Sequence, residues 1–192
     1  MRTSEITKRP VVTMAGDDVA QVKDVLFAAD GGSVDGFTLA GRGLLAGPLK
    51  KALPWRSVHA LGVDAVMIAN EDALEPLKQL LAGASGKAGS GGNVLGSQVL
   101  SDAGMDLGKV VDVVVSVGSG AEAGCDVVGY EIEASPALGT QGEKVLIPLP
   151  DTLAASGEHL MVPASAREFV GRDLAGFGAA VDAFRAQLGG QR

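Results

Sequence analysis

The sequence predicts a mainly β protein with two small β-barrels in tandem and a C-terminal α-helix. Three observations support this fold class. Residues 15–25 return 88 positions later as residues 103–113, and six of the eleven positions are identical. Short apolar runs alternate with glycine and aspartate turns at a spacing that is typical of small barrels. An apolar stripe at helical spacing follows near the C-terminus.

The first repeat is predicted to be a series of short strands. Its apolar runs are rich in β-branched residues, which favour strands. Asp30, Gly31 and Gly32 form a hairpin turn signal between two of them. The predicted strands are residues 11–14, 19–27, 34–39, 53–58 and 65–68.

A short helix is predicted to follow at residues 73–82. Asn70 can cap its N-terminus, and its leucines recur at helical spacing. Pro76 falls in the first turn, where proline is tolerated. Residues 83–96 are then mostly Gly, Ser and Ala, a composition typical of a flexible linker.

The second repeat retraces the first in the same order. Its predicted strands are residues 98–101, 107–117, 127–132, 147–149 and 158–162. The predicted organisation is a first barrel with a short helix (1–82), a Gly/Ser linker (83–96), a second barrel (97–163) and an amphipathic helix (164–190).

The predicted C-terminal helix begins with a capping box, Ser165 followed three residues later by Glu168. One apolar stripe follows at helical spacing. Its members are Val170, Leu174, Phe177, Val181, Phe184 and Leu188. Three roles are open for this stripe: it can cover its own barrel, bridge the two barrels, or mediate self-association into a homo-oligomer.

Charge narrows the classes of partner. The net charge is −7, with about −1 on residues 1–82 and −7 on residues 97–192. A protein that follows a phosphate backbone needs a positive surface, so nucleic acid is disfavoured as a partner.

The first barrel carries the best candidate partner-binding surface, because four cations surround the only tryptophan. These residues are Arg42, Lys50, Lys51, Trp55 and Arg56. The competing interpretation is a solvated loop whose Trp55 fills the barrel.

No catalytic or metal-binding motif is found in the sequence. Cys125 is the only cysteine, and the two histidines occupy unmatched repeat positions. The repeated Asp24 and Asp112 are predicted to bind backbone amides in a bend. We therefore expect no catalytic residue, no metal, no cofactor and no enzymatic activity.

The chain contains no apolar run of membrane-spanning length, and its first ten residues are polar. Together with the single cysteine, this predicts a cytoplasmic protein, and peripheral contact with a membrane stays open.

The glycine and aspartate pattern that begins at Gly16 and Gly104, leading to the glycine–aromatic pairs Gly36-Phe37 and Gly129-Tyr130, resembles the PRC-barrel domain. That family includes the cytoplasmic domain of the photosynthetic reaction-centre H subunit and the C-terminal domain of a ribosome maturation factor. The resemblance implies a small β-barrel without an active site that docks onto another protein or assembly. The alternative that it implies is a ribosome- or RNA-maturation accessory protein, which would bind through the first barrel.

Overall fold

The computed structural model describes residues 1–28, 31–43, 46–83, 94–118, 123–139, 141–150, 154–156 and 159–190. It confirms the predicted fold class: the chain is mainly β, with two sheets and a C-terminal helix. We call residues 1–83 the first unit and residues 94–190 the second unit. Most of the predicted linker, residues 84–93, lies outside the described residues.

The first unit contains a seven-stranded sheet with the order β5-β6-β1-β2-β3-β4-β7. Strands β1 to β4 form an antiparallel meander, and β6 lies parallel to β1. The strands are β1 (Pro10–Thr13), β2 (Asp18–Phe27), β3 (Val34–Ala40), β4 (Pro48–Pro54), β5 (Val58–Leu61), β6 (Val66–Ile68) and β7 (Glu75–Pro76). Two helices complete this unit, α1 (Thr3–Ile6) and α2 (Leu77–Gly83).

The second unit contains a six-stranded sheet with the order β11-β10-β9-β8-β13-β12. In reverse, this order corresponds to β5-β6-β1-β2-β3-β4 of the first sheet, and the described strands include no counterpart of β7. Strand β13 lies parallel to β8, as β6 does to β1. The strands are β8 (Gln98–Ser101), β9 (Asp106–Val117), β10 (Cys125–Ala134), β11 (Lys144–Pro148), β12 (Ala154–Ser156) and β13 (His159–Val162). Helix α3 (Phe177–Gly189) follows.

The repeated segments occupy corresponding places in the two sheets. The β2–β3 ladder skips one residue between Val22 and Asp24, and the β9–β10 ladder skips one between Val110 and Asp112. The extra residues of these two bulges, Lys23 and Val111, are 88 positions apart, as the repeat requires.

Two predicted elements of the first unit were wrong in their bounds. Residues 55–57 form a 3₁₀ turn rather than the middle of a strand, so the chain turns a corner between β4 and β5. Helix α2 begins at Leu77 rather than at residue 73, because Glu75 and Pro76 pair with β4 instead. Asn70 does act as a cap, but of a 3₁₀ turn: its side-chain oxygen accepts a hydrogen bond from the Asp72 amide.

The start of the C-terminal helix was also wrong. Residues 164–169 form a 3₁₀ helix without a side-chain cap, and the α-helix begins only at Phe177. Between them, Gly171 exchanges two backbone hydrogen bonds of 2.8 and 2.9 Å with Leu146 on β11. This pairing needs extended backbone at Gly171, so tertiary contact overrides the local helical pattern.

Helix α1, which was not predicted, joins the first unit to the second. Asp112 on β9 is 6% exposed and accepts hydrogen bonds from the Thr3 hydroxyl at 2.8 Å and the Ser4 amide at 3.2 Å. The Ser4 hydroxyl and the Val113 amide also donate to this carboxylate. Nearby, Arg2 forms a 2.8 Å ion pair with Glu131, which is also buried. The predicted amide-binding role of Asp112 is therefore seen, with two hydroxyl donors from α1 in addition.

Asp24, the repeat counterpart of Asp112, has a different environment. Its side chain is 62% exposed, and its nearest described partners are the Thr38 hydroxyl at 3.3 Å and the Lys23 ammonium at 3.4 Å. Thr38 stands where the second unit has Glu131, because each lies opposite the corresponding aspartate. Only the second of these two cross-strand pairs binds α1.

One hydrophobic core runs through both units. It is built mainly from valine, leucine and isoleucine, with Phe37, Tyr130 and Phe184 as its large buried rings. Cys125 belongs to this core and is 1% exposed. Burial, with a smaller contribution from the Asp126 carboxylate, raises the pKa of Cys125 to about 12. Burial likewise raises the pKa of Tyr130 to about 12.

Glycine is required where strands approach closely at the aromatic pairs. A Cβ on Gly36 would lie 2.9 Å from the Pro54 Cα, and one on Gly129 would lie 2.5 Å from the Ile147 carbonyl oxygen. The Gly129 Cβ would also collide with the ring of Phe177 on α3. Because any side chain would clash with the neighbouring strand, only glycine fits before the aromatic residue at Gly36 and Gly129.

Replacing Asp112 with alanine should lower the free energy of unfolding by about 2–3 kcal/mol, because buried donors of α1 and β9 would lose their acceptor. Asp24→Ala, at the matched position, should cost less than about 0.5 kcal/mol, because its carboxylate is exposed. Urea titration followed by circular dichroism measures both. Equal losses would contradict the asymmetry between the two units.

Gly129→Ala should destabilise the protein by about 3 kcal/mol, because neither β11 backbone nor the Phe177 ring can yield without repacking. Gly178→Ala in α3 is the control, since its Cβ would meet nothing within 4 Å. We expect a gain of about 0.5 kcal/mol there from helix propensity. Thermal unfolding of the two variants checks this, and an unaffected melting temperature for Gly129→Ala would refute the close approach.

The Cys125 thiol should react with a disulfide reagent at pH 8 more than about tenfold slower in the native protein than in denaturant. Because its folded pKa is raised, Cys125 contributes stability below about pH 9, and this contribution is lost as the pH rises toward about 12. Unfolding free energies of the wild type and Cys125→Ala, measured from pH 8 to 11, should therefore converge or cross. A difference that is constant across this range would refute the shift.

Candidate functional site

A groove of about 750 Å³ lies between the two units. One wall comes from the first unit and consists of the 3₁₀ turn after β4 together with the whole of β5. The other comes from the second unit, at the ends of β9 and β10. The described lining residues are Trp55, Arg56, Val58, His59, Ala60, Leu61, Val117, Gly118, Ala123 and Gly124.

Trp55 fixes one end of the groove and contacts both units. Strand β4 ends at Pro54, and Trp55 is the first residue of the 3₁₀ turn that follows. Its ring packs edge-on against Phe37, with centroids 6.2 Å apart. Its Nε1 donates a 2.8 Å hydrogen bond to the carbonyl oxygen of Ala123 in the second unit. The tryptophan therefore has its polar group satisfied while its half-buried ring borders the groove.

The wall from the first unit is an edge strand. Strand β5 pairs with β6 and is the terminal strand in the order of its sheet. All four of its residues line the groove, and they carry no carboxylate and no lysine. The groove thus runs along the outer side of β5.

The wall from the second unit is held in place by contacts between hairpins. Ser33 and Asp126 form an antiparallel bridge, and the Val127 amide donates a 2.9 Å hydrogen bond to the Gly32 carbonyl oxygen. Val117, at the end of β9, exposes 39% of its surface beside this junction. The groove is therefore formed by both units together.

The structure separates the five residues of the predicted partner-binding surface. Trp55 and Arg56 line the groove, whereas Arg42 lines a smaller depression of about 270 Å³ and forms a 3.2 Å ion pair with Asp18. Arg56 forms an ion pair with Glu75 on β7. Lys50 and Lys51 are exposed on β4, and neither is among the lining residues of the groove.

The six residues of the predicted self-association stripe lie near or in the chain's own core. Phe177, Val181 and Phe184 are at most 3% exposed. Phe177 and Val181 pack with Val114 and Leu146, and the ring of Phe184 packs at a tilt of 52° against that of Phe169, with centroids 5.5 Å apart. The remaining members, Val170, Leu174 and Leu188, are half-buried. Helix α3 covers its own unit, and self-association through this stripe stays a prediction.

The described lining of the groove is mostly apolar. Its described lining is aliphatic except for Trp55, Arg56 and His59. His59 is exposed there, and His159 lies on β13 in the other unit.

Within the described residues, no three His, Cys, Asp or Glu side chains are grouped closely enough to hold a metal ion. None of the helices in the described part of the chain has the length and apolarity to cross a bilayer.

Sequence reasoning found one wall of the groove and missed the other. Trp55 and Arg56 were selected because an aromatic residue lay among cations. Val117 and Ala123 carry no such signal, because their role depends on where the β9–β10 hairpin meets the first unit. The aliphatic composition of β9 indicated burial but not this meeting point.

Comparison with known proteins gives a family match for most of the first unit. The model of the PRC-barrel domain family matches residues 1–74, which include strands β1 to β6. No curated protein matches the chain. The second sheet repeats the strand order of the first, although the family match does not extend to it. Residues 1–74 are therefore similar to the PRC-barrel domain family.

Proposed function

We propose that this protein is a non-enzymatic docking or assembly module that binds another protein in the groove between its two units. The groove combines side chains from a PRC-barrel domain with side chains from a second unit of the same strand order. Its volume of about 750 Å³ is in the usual range of binding clefts.

The observation that carries this proposal is the fixed orientation of the Trp55 indole at the end of the groove. The indole is already oriented by Phe37 on one side and by its hydrogen bond to Ala123 on the other. A partner that contacts this ring does not have to pay for ordering it, and large aromatic rings are enriched among the residues that dominate binding energy. Val58, Leu61 and Val117 extend the apolar surface around it.

We propose a non-enzymatic function because the described lining residues of the groove do not include a pair of side chains suited to catalysis. Aliphatic side chains and one tryptophan dominate it, and its single histidine has no serine, cysteine or carboxylate beside it among those lining residues. Acid–base or nucleophilic catalysis needs such a neighbour within hydrogen-bonding distance.

An RNA-maturation role through the first barrel is the less favoured alternative. Its basic surface is divided, because Arg42 and Arg56 are each paired with a carboxylate. Lys50 and Lys51 are exposed, and no ion pair of theirs is seen among the described residues, whereas the two exposed arginines are both paired. Two lysines on a protein with a net charge of −7 give a weak electrostatic attraction to a phosphate backbone.

The test is photo-crosslinking in cells that produce the full chain with a photoreactive phenylalanine at Ala60 or at Val117. Because these residues lie on opposite walls, we expect both to give the same protein adduct. Val111 is the matched control: it is a valine on the same strand as Val117, with 36% exposure, outside the groove. No adduct is expected there.

Val117→Lys should abolish the adduct from position 60, because a lysine would fill the groove with charge, whereas Val111→Lys should preserve it. The first unit already carries Lys23 at the position that corresponds to Val111, so a lysine is compatible with this bulge. An adduct from all three positions, or one that ribonuclease removes, would refute docking of a protein in the groove.

A further inference from the structure

The edges of the two sheets differ in how they are protected against additional strands. Strand β7 has only two residues, and one of them is Pro76. The outer edge of β11 is covered by Gly171 through its two hydrogen bonds to Leu146. Strand β5 has four residues, Val-His-Ala-Leu, and its ladder with β6 skips His59, but it carries no proline, lysine or carboxylate. Proline and charged side chains are among the features that normally protect an edge strand.

We propose that the groove binds an extended segment of a partner protein as an additional β-strand on the outer edge of β5. This inference rests on the proposed docking function and specifies its mode. Strand β5 spans about 13 Å at the usual rise per residue, which is enough to pair with a segment of about four residues. In the described part of the chain, β6 is its only strand neighbour. The Val58 amide donates to the Trp55 carbonyl oxygen, so the ladder would use groove-side backbone groups of residues 59–61.

The groove also supplies pockets for alternate side chains of such a segment. In an extended segment successive side chains point to opposite sides. Leu61 and Val58 can contact one set, and Val117 on the opposite wall extends this apolar contact. Trp55 closes the end of the groove, where an aliphatic side chain can pack against its ring.

The charges of the groove match an uncharged occupant. Arg56 is neutralised by Glu75, and the other described lining residues include no carboxylate and no lysine. Glu122, in the same hairpin loop, lies outside the described residues. A charged side chain of the partner would lose its hydration here without gaining an unpaired counter-ion, which is unfavourable. The segment is therefore expected to be apolar or hydroxyl-bearing at the positions that face the groove.

A second copy of this chain is a less suitable occupant. Its own β5 is part of a sheet with a wall beside it, and two such edges would have to enter each other's grooves. A volume of about 750 Å³ suits a single segment rather than a packed sheet. The partner is thus an exposed, extended segment of another protein.

The experiment uses the full-length isotope-labelled protein and a capped synthetic peptide of about seven residues that alternates threonine and valine. We expect the peptide to shift the amide signals of residues 58–61 and the indole signal of Trp55. Methylating alternate peptide nitrogens on the edge that faces β5 removes donors from the ladder, so affinity should fall by about tenfold or more. A peptide with lysine or glutamate in place of the groove-facing valines should bind similarly weakly.

Val117→Lys should weaken binding of the unmodified peptide by about tenfold, and Val111→Lys should leave it unchanged, as each changes the same residue type on the same strand. Equal affinity of the methylated peptide would overturn strand addition while leaving docking in the groove intact. No shift at residues 58–61 at millimolar peptide would also overturn it. So would light scattering that shows a dimer which Val117→Lys dissociates, or displacement of the peptide by a single-stranded RNA oligonucleotide.

Discussion

The structure depends on one buried carboxylate that accepts hydrogen bonds from another unit of the chain. Asp112 takes a hydroxyl and a backbone amide from the first turn of α1, and Glu131 beside it takes the Arg2 guanidinium. A carboxylate removed from water is tolerated only when its oxygens are satisfied, so α1 and β9 stabilise each other. This contact sets the position of the first unit against the second.

The groove follows from that position. With α1 bound to β9, the tips of the two hairpins meet at the Ser33–Asp126 bridge, and the Trp55 indole reaches the Ala123 carbonyl oxygen. Strand β5 then faces the end of β9 across a cleft. The proposed docking surface is therefore a property of the arrangement of two units, and each contributes one wall.

The sequence predicted those parts of the fold that depend on local pattern. The apolar and β-branched run at residues 19–27 and its repeat at 107–117 predicted β2 and β9, and the glycine–aromatic pairs at Gly36 and Gly129 were matched between the two repeats. The prediction failed where pairing between distant segments of the chain determines the local structure. The helical stripe continues through Gly171 in sequence, yet that residue pairs with Leu146 and delays α3 to Phe177. Helix α1 has four residues, too few to show a period, and Val117 is one valine among several in β9.

Because the groove needs side chains from both units, the residues that match the known family cannot form it on their own. A fragment that ends at residue 74 would keep Trp55 and β5 but lack Val117 and Ala123, and Thr3 and Ser4 would have no acceptor. Affinity reagents or interaction screens built on the isolated domain would therefore sample a surface that differs from that of the two-unit chain.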